Sequence, residues 1–322
     1  MIGTPPEILE YIAAYLLPDK GDVRSFTLVH PCTVSPGRHV LFEGCCTNIH
    51  GDEFSIARFT EVLHGDSNIG QYIRSLVLNA IDEEGTPVTL RDMTDIVSYI
   101  PGLTSLHLIG FLWTPSVAPV HPMHRSNKLS KLRLEFIACT TGAHSPLALL
   151  SLANKWTQVD VMHLSVRSRP AVVTGGPFAV ENISLAWSPF WASWNLGIRD
   201  YSKTFVGLKR FRIQDIVDEQ TGMIRRILEV AAPTLQKASL ELTTAFKEVD
   251  DKTASAEARR MILAVLTWEA FGRHLRAKVN LIAVTVTVRQ PDGQLADWSG
   301  AEETAVKDRL CFLPVISGTP SQ

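Results

Sequence analysis

Short runs in which apolar and polar residues alternate recur down most of the chain. The pairs Leu76/Leu78, Leu106/Leu108, Leu132/Leu134, Leu164/Val166, Ile183/Leu185, Phe211/Ile213 and Leu240/Leu242 each enclose one residue. Period-two spacing puts both members of a pair on one face of a strand and the enclosed residue on the other. Successive pairs lie 30, 26, 32, 19, 28 and 29 residues apart. Most of these intervals fit a repeated strand-and-helix unit, which cannot bury its own apolar face but can do so in a row of copies. Helical spacing fills several intervals. Thr89 is placed to cap Leu90, Met93, Ile96, Val97 and Ile100. Ser145-Pro146 opens Leu147, Leu149, Leu150 and Ala153, and Ile224, Ile227, Leu228 and Ala231 precede Pro233. The 19-residue interval leaves no room for a full helix and is flanked by Pro177 and Pro189.

The first forty-odd residues have a different period. Thr4 is a candidate N-cap, with Pro5 at the first helical position and Glu7 completing a capping box. Ile8, Leu9, Ile12, Leu16 and Leu17 follow as one apolar stripe, ended by Pro18, Asp19 and Gly21. Asp22 is placed to cap a second helix through Val29. Ser35-Pro36 opens a third through Val40, Leu41 and Phe42. Three short helices bury little alone and need a partner or the rest of the chain.

Residues 43–53 read as a linker. A helix follows, marked by Phe54, Ile56, Phe59, Val62 and Leu63 and ended by Gly65. Near the other end, Ser255 is placed to cap a helix reaching about Leu275, and Val279–Val288 reads as a strand before the turn Pro291-Asp292-Gly293. The division expected is a helical module at 1–43, linker and helix at 44–66, a repeat region with a C-terminal cap at 67–290, and a tail at 291–322.

Composition is that of an ordinary globular protein. A formal net charge of −2 over 322 residues gives no overall basic field, so nucleic acid is not the expected partner. No basic-then-apolar leader opens the chain, and no apolar run is long enough for a membrane span. The five cysteines, odd in number, read as free thiols in a reducing compartment. An intracellular protein, cytoplasmic or nuclear, is the expectation, with no membrane partner.

The stretch PPEILEYIAAYL…VRSFTLVHPCTVSPGRHVLF resembles an F-box, the segment that docks a substrate receptor onto the Skp-type adaptor of a cullin-based ubiquitin ligase. Pro6, Glu7, Ile8, Leu9, Ile12 and Leu16 match the family's opening, and Leu28 and Val29 its middle. Thr4-Pro5 stands where the family has Leu-Pro, His30 where it has Cys, and Thr33 where it has Trp. The strings IPGLTSLHLIG, NKLSKLRLEF, FVGLKRFRIQD and APTLQKASLEL look like divergent leucine-rich repeats. Phe111 and Ile137 occupy the usual Asn or Cys position, so irregular turns are expected. Together these are similar to the fungal group of F-box-like proteins. The resemblance implies an α/β fold in which a three-helix F-box-like module precedes an irregular leucine-rich-repeat solenoid with a parallel sheet. It further implies adaptor binding through Pro6, Ile8, Leu9, Ile12, Leu16, Leu28 and Val29, no catalytic residue, and a target protein held on the repeats. The alternatives are a stand-alone scaffold whose F-box-like start has become a cap, and an enzyme with a site in the Trp-rich segment.

The enclosed strand residues define the surface that would hold a target. Val77, His107, Arg133, Ser165, Ser184, Arg212 and Glu241 should point outward. Lys131, Glu135, His163, Arg167 and Arg210 neighbour them. His107, Lys131, Arg133, Arg167, Arg210 and Arg212 would make this row locally basic and favour an acidic or phosphorylated target. Outward strand positions are also polar simply because they meet water. No phosphate loop, GxSxG elbow, HExxH or paired CxxC occurs. His121-x-x-His124 and Cys45-Cys46 with His50 are thin metal candidates beside solvated-loop readings, and no cofactor or metal is expected. Asp82-Glu83-Glu84 reads as a solvated loop. Trp187, Trp191 and Trp194 fit either packing in the helix-poor repeat or a binding hot spot.

Overall fold

A computed structural model describes residues 4–49, 55–65, 67–80, 85–115, 128–140, 146–162, 165–166, 179–186, 201–214, 226–228, 230–231, 233–243 and 283–289. Three helices open it: α1 (Pro6–Leu16), α2 (Lys20–Val29) and α3 (Pro31–Phe42). Their starts differ from the expected caps. Pro6 holds Pro5 in the extended region, at φ −56° and ψ 142°, so α1 begins at Pro6 without a side-chain cap from Thr4. Asp19, not Asp22, caps α2, its Oδ1 accepting from the Gly21 amide at 2.7 Å. α3 begins at Pro31, five residues before the expected Pro36, which lies inside the helix.

The strand and helix elements that follow are β1 (Gly44–Ile49), α4 (Ile56–Gly65), α5 (Ser67–Tyr72), β2 (Ser75–Ala80), β3 (Thr86–Val88), α6 (Leu90–Tyr99), β4 (Ser105–Ile109) and β5 (Phe111–Trp113). Then come β6 (Lys131–Glu135), β7 (Ala138–Cys139), a 3-10 helix (Pro146–Leu152), β8 (Lys155–Trp156), β9 (Gln158–Met162) and β10 (Ser165–Val166). β11 (Ala179–Val180), β12 (Asn182–Ala186), α7 (Tyr201–Phe205), β13 (Arg210–Gln214), β14 (Lys237–Thr243) and β15 (Ala283–Arg289) complete the order. Thr89 caps α6 as expected, in a reciprocal box with Asp92.

The fold is α/β with parallel sheets. Among the described residues, nine strands lie side by side in chain order, β1-β2-β4-β6-β9-β12-β13-β14-β15. Every neighbouring pair is parallel. The expected linker at 44–49 is therefore the first strand. Two other expectations shift. The fourth inward pair is Val159/Val161 on β9, because Leu134 is in register with Val161 and Leu132 with Val159. Val166 belongs instead to β10, in a second parallel sheet of order β10-β7-β5-β3. The last pair moves back by two, since Phe211 meets Ala238 and Ile213 meets Leu240. In true register, Leu76, Leu106, Leu132, Val159, Ile183, Phe211 and Ala238 are separated by 30, 26, 27, 24, 28 and 27 residues, and the anomalous short interval disappears.

A ladder just upstream of the strands holds this register. The amides of Ser75, Ser105, Lys131, Gln158, Arg210 and Lys237 donate to the carbonyls of Glu43, Arg74, Thr104, Ser130, Glu181 and Lys209. The Thr104 hydroxyl donates to the Arg74 carbonyl at 2.8 Å, and Thr157 to Ser130 at 3.1 Å. Downstream, the chain bends into the second sheet. Gly110 (φ 74°) and Phe136 (φ 53°) occupy equivalent left-handed positions. Their amides donate to the carbonyls of Glu135 at 2.9 Å and Met162 at 3.1 Å. Phe111 and Ile137, at the expected Asn or Cys position, are buried anchors of this bend. The turn is thus a recurring apolar corner. Inward residues of both sheets, with Met93, Ile96, Val97, Leu149, Leu150 and Trp156 of the helical side, form one core. Each fully buried Leu, Val or Phe contributes about 1.5–3 kcal/mol relative to exposure.

Candidate protein-binding surfaces

Helix α1 buries only one stripe. Leu9 and Ala13 are inaccessible, whereas Ile8, Tyr11, Ile12 and Tyr15 all face solvent. Their spacing of three and four residues puts them on one face. Tyr15 is 80% exposed, and at the end of α2 Leu28 is 87% and Val29 62% exposed. Of the residues singled out for adaptor docking, Pro6, Ile8, Ile12, Leu28 and Val29 lie at the surface, Leu16 is half-buried, and Leu9 belongs to the interior of the module. Sequence reasoning missed Tyr11 and Tyr15, although their spacing from Ile8 and Ile12 carries the signal. Solvated apolar groups at this density are characteristic of interaction surfaces.

Two of the three residues that depart from the F-box pattern, His30 and Thr33, shape the start of α3. Thr33 is fully buried, and its Oγ1 accepts from the His30 amide at 3.3 Å. The His30 Nδ1 accepts from the Cys32 amide at 3.2 Å, so His30 caps the helix through an unprotonated Nδ1. α3 also ties the module to the sheet. Phe42 packs against the main core, the Tyr72 hydroxyl donates to Ser35 Oγ at 3.4 Å, and His39 Nδ1 lies 3.2 Å from Glu10 of α1.

The outward face of the large sheet is organised in rows by register. One row reads Val77, His107, Arg133, Asp160, Ser184, Arg212 and Ser239. The row two residues earlier reads Ser75, Ser105, Lys131, Gln158, Asn182, Arg210 and Lys237. His107, Lys131, Arg133, Arg210 and Arg212 thus sit on one face as expected. Ser165 does not, because β10 is in the other sheet, and Asp160 takes its place. Ser239 replaces Glu241, which moves to the next register position. Sequence reasoning missed Lys237 with that shift. Arg167 and His163 lie outside the described residues. So do His121, His124, His50, the Asp82–Glu84 run, Trp187, Trp191 and Trp194, and the helix expected after Ser255.

Glu135 organises the charges around β6. Its Oε2 accepts from His107 Nε2 at 3.2 Å and from Arg133 Nη2 at 3.0 Å. Burial, then the neighbouring Arg133 charge, lower the His107 pKa below its ordinary 6.5, against the pull of Glu135 and Asp160. At neutral pH this contact is therefore an N–H···O bond from neutral imidazole, and not an ion pair. Lys131, Arg210 and Lys237 enter no ion pair among the described residues. At the strand entrance, Glu181 bridges Lys155 at 2.5 Å and Lys209 at 3.4 Å, and those contacts lower its pKa.

A groove of about 580 Å³ opens where the helical module meets the upstream end of this face. Leu17, Val40 and Leu41 give it apolar wall. Lys20, Arg74, Lys131 and Glu43 give it charge. Arg74 is partly committed, its Nη1 donating to the Gln71 carbonyl at 2.7 Å.

Cys45 and Cys46 face opposite sides of β1, Cys45 against the core and Cys46 toward solvent. Among the described residues no three His, Cys, Asp or Glu side chains are grouped to hold a metal ion. No helix among them is long and apolar enough to cross a membrane. Comparison with protein-family models and with curated proteins returns no match, so no residue role comes from a relative.

Proposed function

We propose that this chain is a non-enzymatic substrate receptor of a cullin-based ubiquitin ligase. Its repeated strand units form a divergent leucine-rich-repeat solenoid behind an F-box-like module. In this reading Ile8, Tyr11, Ile12 and Tyr15, with Leu28 and Val29, dock a Skp-type adaptor. The outward sheet face holds the target protein, and other subunits carry out ubiquitin transfer. The observation that carries the reading is the solvated apolar stripe on α1, opposite a face already buried through Leu9 and Ala13. A helix that has satisfied its own fold and still presents four large apolar side chains fits a docking element.

Pull-down of the intact chain with purified Skp-type adaptor tests it. Ile8→Asp with Ile12→Asp should abolish capture while leaving the thermal midpoint within a few degrees, because both side chains are at the surface. A folded wild-type chain that captures no adaptor removes the ligase reading. A second reading, a scaffold in which the module serves as a cap, is favoured by the packing of Phe42 into the main core and the Tyr72–Ser35 contact. Under it, the same double variant changes no partner and no ubiquitin transfer.

A further inference from the structure

Among the described residues, the outward face carries its cations in two groups. The first is at β6, where Lys131 lines the groove with Lys20 and Arg74, and Arg133 follows it two residues along the strand. The second is Arg210, Arg212 and Lys237 on β13 and β14. Between them lie β9 and β12, whose outward residues are Gln158, Asp160, Asn182 and Ser184. β6 and β13 are three positions apart in the sheet order, which at about 4.8 Å per strand is about 14 Å. That exceeds the Debye length of about 8 Å at physiological salt, so the two groups act as separate anion sites. Asp160 repels an acid placed between them.

We propose that this face takes an extended acidic peptide segment with two acidic clusters about four residues apart and no acid between them. The proposal rests on the target-receptor reading and adds a charge ruler to it. Four residues follow from dividing about 14 Å by the rise of about 3.3 Å per extended residue. The intervening Gln158, Asn182 and Ser184 offer hydrogen bonds to a neutral stretch of peptide. Opposing carboxylates are present and limit the field. Glu43 lines the groove, and Glu135 holds Arg133. At the first group single carboxylates match better than a phosphate monoester, which is best held by an uncommitted guanidinium fork. Arg74 Nη1 and Arg133 Nη2 are already directed at the Gln71 carbonyl and at Glu135.

Fluorescence anisotropy with the full chain tests the ruler. The probes are fluorescein-labelled peptides bearing two Glu-Glu pairs centred two, four, six or eight residues apart in Gly-Ser sequence, with a Gln-for-Glu control. At about 150 mM salt the four-residue spacing should bind at least about tenfold more tightly than spacings of two or eight, because only it engages both groups at once. Lys131→Glu, and separately Arg210→Glu with Lys237→Glu, should each reduce that peptide to the affinity of a single-pair probe. All these side chains are exposed, and a thermal melt confirms that the variants are folded. Equal affinity across the spacings overturns the ruler. Tighter binding of a single-phosphoserine peptide than of any Glu peptide overturns it in favour of phosphate. If spacing has no effect but both reversals weaken binding, the ruler fails and the receptor reading survives. If neither reversal affects any probe, the sheet face itself is excluded as the binding surface.

Discussion

Replacing Gly110 by Ala should destabilise the fold far more than a surface Gly-to-Ala change. Two separate costs add there. Gly110 sits at φ 74°, where an L side chain costs about 1–2 kcal/mol. A Cβ built on it would lie 2.7 Å from the carbonyl oxygen of Ala80 on the neighbouring strand, so the corner must shift by overpacking worth about 1–3 kcal/mol. Reduced freedom of the unfolded chain returns about 0.4–1 kcal/mol. The net expectation is a loss of about 2–4 kcal/mol, a large share of the total stability of a typical domain. Phe136 is an internal control, because it has the same corner position at φ 53° with an exposed side chain. Phe136→Gly relieves the backbone cost, loses little burial and loosens the unfolded chain, so it should fall within about 1 kcal/mol of wild type. Urea unfolding followed by tryptophan fluorescence reads both, since Trp113 is buried three residues after Gly110 and Trp156 is buried in the same core. A Gly110→Ala midpoint unchanged from wild type, or equal losses for the two variants, would refute the reasoning.

Two further outcomes follow from titratable groups. Burial and Arg133 lower the His107 pKa, so the unfolded chain takes up its proton first as pH falls. The His107 contribution to stability is complete above about 6.5 and is lost as pH drops through that value toward the lower folded pKa. Thermal midpoints of wild type and His107→Asn should therefore converge between pH 7 and pH 5.5, and parallel curves would contradict the assignment. Burial pushes the Cys139 thiol up to about 12, whereas Cys46 is exposed. At pH 8 a maleimide should label Cys46 in the folded chain and reach Cys139 only in denaturant, as peptide mass spectrometry would show.

The inward rows were legible because period-two alternation leaves a mark that needs no tertiary information. Leu106/Leu108 and Phe211/Ile213 are read directly from it. The same mark misled at Leu164/Val166. The chain enters a second sheet after each bend, and its short strands use the same residue types as the first. Thr157 carried the missing clue, since it precedes Val159 by two residues as Thr104 precedes Leu106 and Ser130 precedes Leu132. β1 was illegible because Gly44-Cys45-Cys46-Thr47-Asn48 has no apolar alternation. Its pairing to β2, and not its composition, makes it a strand. In the helical module, His30 was invisible as a cap because imidazole is rarely used that way. Which of Leu9 and Ile8 is buried depends on where α3 packs, which the spacing of α1 alone does not encode. The two-group pattern on the outer face was hidden until β9 was placed, because the expected strand at 164–166 set Ser165, with Arg167 as its neighbour, where Asp160 stands.

The side-by-side order of the large sheet also bears on how the molecule comes together. From β4 to β14, each strand's partner lies only 24 to 30 residues back, so a newly made strand finds its template already finished. β15 is different. Lys237 pairs with Ala283, 46 residues on, and closing that longer loop costs about 0.5 kcal/mol more than closing one of 27. Growth is therefore directional, like courses of brick laid on the one beneath, with the final course the most easily lifted. A nascent chain that stalls before residue 283 would leave the β14 edge open to strands from other molecules.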